Sequence, residues 1–158
     1  MKPMMIKKIL VGLLFLGLIH AAWADGAAAE EIKWMTYKQG MESAQAAGKK
    51  IFLHFYASWC GYCKTMDQKT FKDDSVVRYL NENFTSIKVN TDQQQDIAIR
   101  YRVRGLPSTW FLQTDGEKIA NRPGYIAPEQ LIGYLRFVHT DSYKKMGIRE
   151  FLKSQNQE

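Results

Sequence analysis

The chain is poor in the residues that build metal centres and disulfide scaffolds. It carries two cysteines and three histidines in 158 residues. A small exported domain stapled by disulfides carries several pairs, and here there is one. Structural zinc takes four ligands, commonly two Cys-x-x-Cys pairs or one pair with two spaced histidines. Beyond the first 24 residues only His54 and His139 remain, without ligand-like spacing. Attachment of a c-type haem needs Cys-x-x-Cys-His, and position 64 is Lys. An iron–sulfur cluster needs further thiolates. No metal site is expected.

Long apolar runs are lacking as well. The longest, Ile9 to Ile19, spans eleven residues behind Lys2, Lys7 and Lys8; a membrane-spanning helix needs about 20. Followed by Ala22-Trp23-Ala24, it reads as a secretory signal peptide over residues 1–24, cleaved before Asp25. The alternative is an uncleaved anchor. No cysteine lies near the cut, so a lipid anchor on cysteine is excluded. Removing 24 residues from 158 leaves 134, enough for one domain with a core. Its 19 basic and 16 acidic residues give a mild +3 without a long basic run. Nucleic acid is therefore not an expected partner. The densest basic spot, Arg100, Arg102 and Arg104, reads as a solvated helix end or an aid in attracting acidic partners.

The chain beyond the cut alternates strands and helices. After a mobile, Ala-rich lead (25–31), Ile32 and Trp34 suggest a short edge strand. A helix from Tyr37 presents Met41, Ala44 and Ala47, closed by Gly48. "KKIFLHFYA" reads as a central strand covered on both faces. A helix then opens at Cys60 and runs to about Lys69. "DDSVVRYLNENF" is helical, "FTSIKVN" extended, and Asp92 starts another helix with Ile97 and Tyr101 inward. "PSTWFLQ" and "EKIANR" form a hairpin about Asp115-Gly116. Pro128 starts a closing helix with Leu131, Ile132, Leu135 and Val138 inward. The expected architecture is α/β, a mixed sheet flanked by helices on both faces. The domain is placed at 32–140, with a C-terminal extension (141–158) holding a short helix around Ile148 to Leu152.

The two cysteines stand together in "FYASWCGYCK". A four-residue ring restricts an unfolded chain little, because loop-closure stabilisation grows with loop length. A redox dithiol fits better. At the first turn of a helix, free N–H groups and a positive dipole end stabilise a thiolate, the reactive form. Cys60, nearest the helix end, would attack a substrate sulfur. Cys63, one turn deeper, would resolve the mixed disulfide. Trp59 would shield the pair with an apolar edge or pack in the core. Lys64 adds local positive charge.

"WCGYCK" after a hydrophobic strand, "VRGLPSTWFL" some 45 residues later, a D-G turn and "GYIAPEQLIGYL" together resemble the thioredoxin family. Within it, the run from Cys63-Lys64 through Thr70-Phe71 to Asp73 is similar to exported domains such as the C-terminal domain of the membrane electron transporter DsbD. The resemblance implies a thioredoxin fold, thiol–disulfide oxidoreductase activity and no bound cofactor beyond the Cys60–Cys63 disulfide. It implies a cis Pro107, preceded by Leu106, whose loop faces the dithiol and pairs with an extended substrate segment. It also implies clients that are exported proteins with thiols or disulfides, apocytochromes among them. An electron donor resembling DsbD, a monomeric state and a periplasmic location in a Gram-negative cell are expected too.

Two positions depart from that family. Thioredoxins usually carry a buried aspartate six residues before the first active-site cysteine; here that residue is His54. The accompanying lysine is kept as Lys88. A buried carboxylate raises a neighbouring thiol's pKa and a neutral imidazole does not, so a more oxidising pair is expected. His54 is also a candidate base for Cys63, given an unperturbed pKa near 6.5, or else a neutral core residue. Between the cysteines, Gly61-Tyr62 replaces the usual Gly-Pro. That dipeptide occurs in isomerases resembling DsbC, whose dimerisation domain this chain has no room for. Oxidase or isomerase activity, or a non-catalytic binding module on the same scaffold, are the rival readings.

Overall fold

The computed structural model describes residues 30–155. The expected signal peptide (1–24), its cleavage before Asp25 and most of the lead (25–31) lie outside these residues. Glu30 and Glu31 are held against the domain, since the Asn81 amide donates to Glu30 Oε1 (2.9 Å) and to the Glu31 carbonyl (2.9 Å).

The sheet grows around β1 (Lys50–Tyr56), whose "KIFLHFY" is covered on both faces. β2 (Phe84–Asn90) lies parallel on one side, and β3 (Ser108–Leu112) lies antiparallel on the other. β4 (Lys118–Pro123) completes the order β2-β1-β3-β4. The hairpin joining β3 and β4 turns at Gly116, whose φ of +90° is the left-handed conformation that glycine adopts without a Cβ penalty. Strand alternation sorts the side chains into two cores. Ile51, Leu53, Phe55, Ile87, Val89 and Leu112 face α1 (Tyr37–Ala47) and α4 (Gln95–Arg100). Phe52 and Phe111 point the other way. They meet Met66 of α2 (Gly61–Gln68), Leu80 of α3 (Asp74–Asn83), and Leu131 and Leu135 of α5 (Pro128–His139). The sheet is mixed with helices on both faces, as the alternation of elements implied.

Two expectations need correction. No strand forms at Ile32 and Trp34; a single bridge joins Met35 to Ile87. Trp34 N–H bonds back to the Ile32 carbonyl (2.9 Å), and the indole turns inward onto Phe71 and Phe52. Aromatic burial there takes precedence over extension of the sheet. The helix assigned from Asp92 begins only at Gln95, because Asn90 first ties a turn: its side-chain oxygen accepts from Asp92 N–H (2.9 Å). In the C-terminal extension the short helix forms as α6 (Ile148–Gln155). Phe151 is buried against Phe137 of α5, ring centroids 5.4 Å apart, as part of the main core. Upstream, Asp141 is tied to Lys144 (3.0 Å) and Lys50 (3.2 Å). Those ammonium groups, Lys144 first, hold its carboxyl down to about 2.

Candidate active site

The dithiol stands where β1 ends and α2 begins. Ala57 to Trp59 form the turn, and Cys60 is the N-cap of α2 with extended backbone (φ −77°, ψ 109°). Its sulfur takes the place of the usual capping oxygen and accepts the Cys63 N–H at 3.1 Å. Cys60 and Cys63 are joined as a disulfide, with Cα atoms 5.3 Å apart. Both are buried, Cys60 at 5% exposure and Cys63 at 1%, so the first cysteine is the more accessible one. Tyr56 and Leu106 pack against the pair. Leu106 precedes Pro107 through a cis peptide bond, and Pro107 leads directly into β3. The register of β1 with β3 sets Ser108 opposite Phe55, so this loop and the dithiol share one end of the sheet.

Trp59 is placed otherwise than the core alternative had it. It stands 70% exposed, with its indole N–H donating to Asp92 Oδ2 (3.0 Å). Gly61 and Tyr62 are exposed beside it, Tyr62 at 69%. Tyr56 and Leu106, which the sequence did not single out as covers, contact the dithiol cluster instead.

His54 and Lys88 are paired neighbours on β1 and β2. His54 is fully buried, Nδ1 lies 3.2 Å from the Thr109 hydroxyl, and Nε2 has no hydrogen-bond partner. Its ring sits edge-on to Phe71 at 4.9 Å. Burial, and then the Lys88 cation, push its pKa down to about 3. The imidazole is therefore neutral near pH 7, and the proton-shuttling pKa near 6.5 is lost. Its partner is a hydroxyl, where the core-histidine alternative had a backbone carbonyl. Lys88 reaches Asp67 on α2 at 2.6 Å and lies 4.6 Å from the Tyr56 ring centroid. Asp67 was missed in the sequence. The available signal was its position one turn beyond Cys63 on the same helix, where i and i+4 share a face. Among the described residues, no group of three His, Cys, Asp or Glu is placed to hold a metal. No helix there is long and apolar enough to cross a membrane.

A buried Cys-x-x-Cys disulfide capping a helix at the end of a central strand, faced by a cis-proline loop, defines a class. The chain belongs to the thioredoxin-like domain family, whose model matches residues 37–139, and it is a thiol–disulfide oxidoreductase. It is 32% identical over 100 residues to a thioredoxin of Mycoplasmoides gallisepticum, covering 63% of this chain and 95% of that one. It is also 32% identical over 98 residues to the thiol:disulfide interchange protein DsbD of Yersinia pestis, covering 59% of this chain but 16% of that one. The match to DsbD thus spans a small part of that protein. Among solved structures, a thioredoxin from Thermus thermophilus superposes with TM-score 0.63 at 29% identity, over 68% of this chain and 87% of that one. The oxidoreductase DsbH does so with TM-score 0.59 at 20% identity, over 75% and 89%, a likeness of fold.

Proposed function

We propose that the chain is an exported thiol–disulfide interchange protein that reduces disulfides in protein clients. The observation that carries this reading is the Cys63 N–H aimed at Cys60 Sγ from the first turn of α2. With the pair reduced, that N–H and the positive helix end stabilise a Cys60 thiolate. The thiolate attacks one sulfur of a client disulfide, forming a mixed disulfide and releasing the client's other sulfur as a thiolate. The Cys63 thiolate then attacks Cys60 Sγ, closing the Cys60–Cys63 disulfide and freeing the second client sulfur. Two electrons pass to the client, and no bound cofactor takes part. Leu106 and Pro107 shape the groove that holds the client segment, beside Gly61 and Tyr62. Trp59, His54 and Lys88 tune the site.

Restoring the dithiol requires a reduced donor, and the likeness to DsbD supports a membrane donor resembling it. Export to the periplasm of a Gram-negative cell rests on the N-terminal pattern, with cleavage before Asp25, and the domain is taken to act as a monomer. Run in reverse, the same steps make an oxidase or, with reshuffling, an isomerase. The neutral His54 favours that alternative, since no carboxylate stands in its place.

Trapping tests the reading. Cys63→Ala should accumulate mixed disulfides with client proteins, visible on non-reducing gels and released by dithiothreitol. Cys60→Ser should accumulate none and lose exchange activity. A cellular phenotype left intact by Cys60→Ser, with exchange abolished, would reduce the chain to a binding module.

A further inference from the structure

The segment from Ile99 to Leu106 holds three arginines and no acid. Arg100, Arg102 and Arg104 are all exposed. Among the described residues every ion pair uses a lysine, and no carboxylate lies within ion-pair distance of these guanidinium groups. Asp67 on α2 holds Lys88, and Asp92 accepts the Trp59 indole N–H. Asp96 lies in the first turn of α4.

Arg102 has a second peculiarity. Its N–H reaches the Ile99 carbonyl (2.9 Å) and the Val103 N–H reaches the Ala98 carbonyl (3.0 Å), so the chain leaves α4 through a left-handed residue. Arg102 occupies that position with φ +52°, where an L-residue costs about 1–2 kcal/mol and glycine does not. Stability alone would place glycine there. The arginine keeps a charge where one is costly to hold.

The basic segment runs directly into the site. Arg104 is three residues before Pro107, within about 11 Å of it at full chain extension. Leu106 packs on the dithiol cluster. On the far side of the loop, Gly124 N–H bonds to the Pro107 carbonyl (2.7 Å), which brings the end of β4 with exposed Arg122 alongside. Trp59 in the turn before α2, Tyr62 on α2 and Ile99 on α4 stand exposed, at 70%, 69% and 74%.

We propose that this face is a docking surface for protein partners whose reactive cysteine lies in an acidic, extended segment, with Arg102 and Arg104 supplying the charge. The proposal rests on the exchange chemistry above and adds the kind of client. Charges at the rim of an interface act mainly on association rate and on its salt dependence.

The test uses the reduced full-length protein and three synthetic peptides, each closed by one internal disulfide. Their flanking residues are Asp/Glu, Gln or Lys. Each rate of disulfide reduction is divided by the rate with dithiothreitol, which removes the peptide's own reactivity. At about 20 mM salt the acidic peptide should react roughly 10-fold faster than the basic one, the lower end of electrostatic steering. The gap should close at about 0.5 M salt, where the Debye length falls to a few ångström. The double variant Arg102→Gln/Arg104→Gln should lose most of the preference while reducing the Gln peptide at the wild-type rate. Arg102→Gly, free of backbone strain, should lose part of the preference and remain folded. Equal normalised rates for acidic and basic peptides, or a preference untouched by the double variant, would overturn the proposal. Inertness towards all three peptides would instead overturn the exchange reading, and this inference with it.

Discussion

Protonation of His54 should govern how the protein responds to mild acid. The imidazole is wholly buried, with one nitrogen on the Thr109 hydroxyl and the other unpartnered, and its pKa stands at about 3. In the unfolded chain the same group titrates near 6.5. Below that value the unfolded state binds a proton that the folded state refuses, so stability is whole above about pH 6.5 and falls as pH drops towards 3. The loss from this one group is about 2 kcal/mol at pH 5 and about 3 kcal/mol at pH 4. Urea denaturation of wild type and His54→Asn at pH 7 and pH 5 isolates the contribution. Carboxylates common to both proteins cancel in the comparison, including Asp141, which titrates at about 2. The variant will be less stable at pH 7, because its shorter side chain leaves space in the core. Its loss between pH 7 and pH 5 should nevertheless be smaller than that of wild type by about 2 kcal/mol. Parallel pH dependences, agreeing within about 0.5 kcal/mol, would refute the buried neutral imidazole.

Two further substitutions test the packing around the site. Phe151→Ala should cost about 3 kcal/mol, as for a buried aromatic at the lower end of its range, read as a shift in the urea midpoint. An unchanged midpoint would show that Phe151 adds nothing to the core. Gly40→Ala would drive a methyl into Ile87 of β2, with Cδ1 at 2.5 Å. Overpacking of about 1–3 kcal/mol should outweigh the gain in helix propensity of about 1 kcal/mol, so thermal denaturation should occur earlier than in wild type.

The sheet and both cores were legible because β1 is almost wholly apolar and the helices carry a clear 3.6-residue period. Cys60 and Cys63 were legible because two thiols three positions apart, following a strand, have few other uses. Side chains whose partners come from distant sequence were harder to read. Trp34 looked like a strand residue until Phe52 and Phe71 supplied a pocket. Trp59 could be read as an apolar edge beside the pair or as a core residue, and Asp92, 33 positions on, holds its N–H at the surface. Asp67 is unremarkable within α2 and gains a role only when the β1–β2 register brings Lys88 beneath the helix. Phe151 lay beyond the family pattern, and its burial depends on the turn after His139 that folds α6 back onto α5. Local period and motif spacing were readable; pairings across long loops were not.

Those long-range pairings set the charge around His54. The residue on β1 is neutral, and the Lys88 cation on β2 is countered by Asp67 at 2.6 Å. A thioredoxin-type aspartate at position 54 would add a buried negative charge and raise the pKa of a neighbouring thiol. Each unit of relief on an ionised thiol is worth about 1.4 kcal/mol, or about 30 mV for this two-electron couple. Relief of the thiolate stabilises the reduced pair, so the couple should lie above thioredoxin's value of about −270 mV, in the direction of about −120 mV for DsbA. Equilibration with glutathione at pH 7 measures it, and His54→Asp supplies the comparison. The aspartate should lower the potential by about 30 mV or more. A wild-type value near −270 mV, unmoved by the substitution, would show that the charge at position 54 does not set the potential. The potential would then be set by the helix end and its Cys60 cap rather than by the charge at position 54.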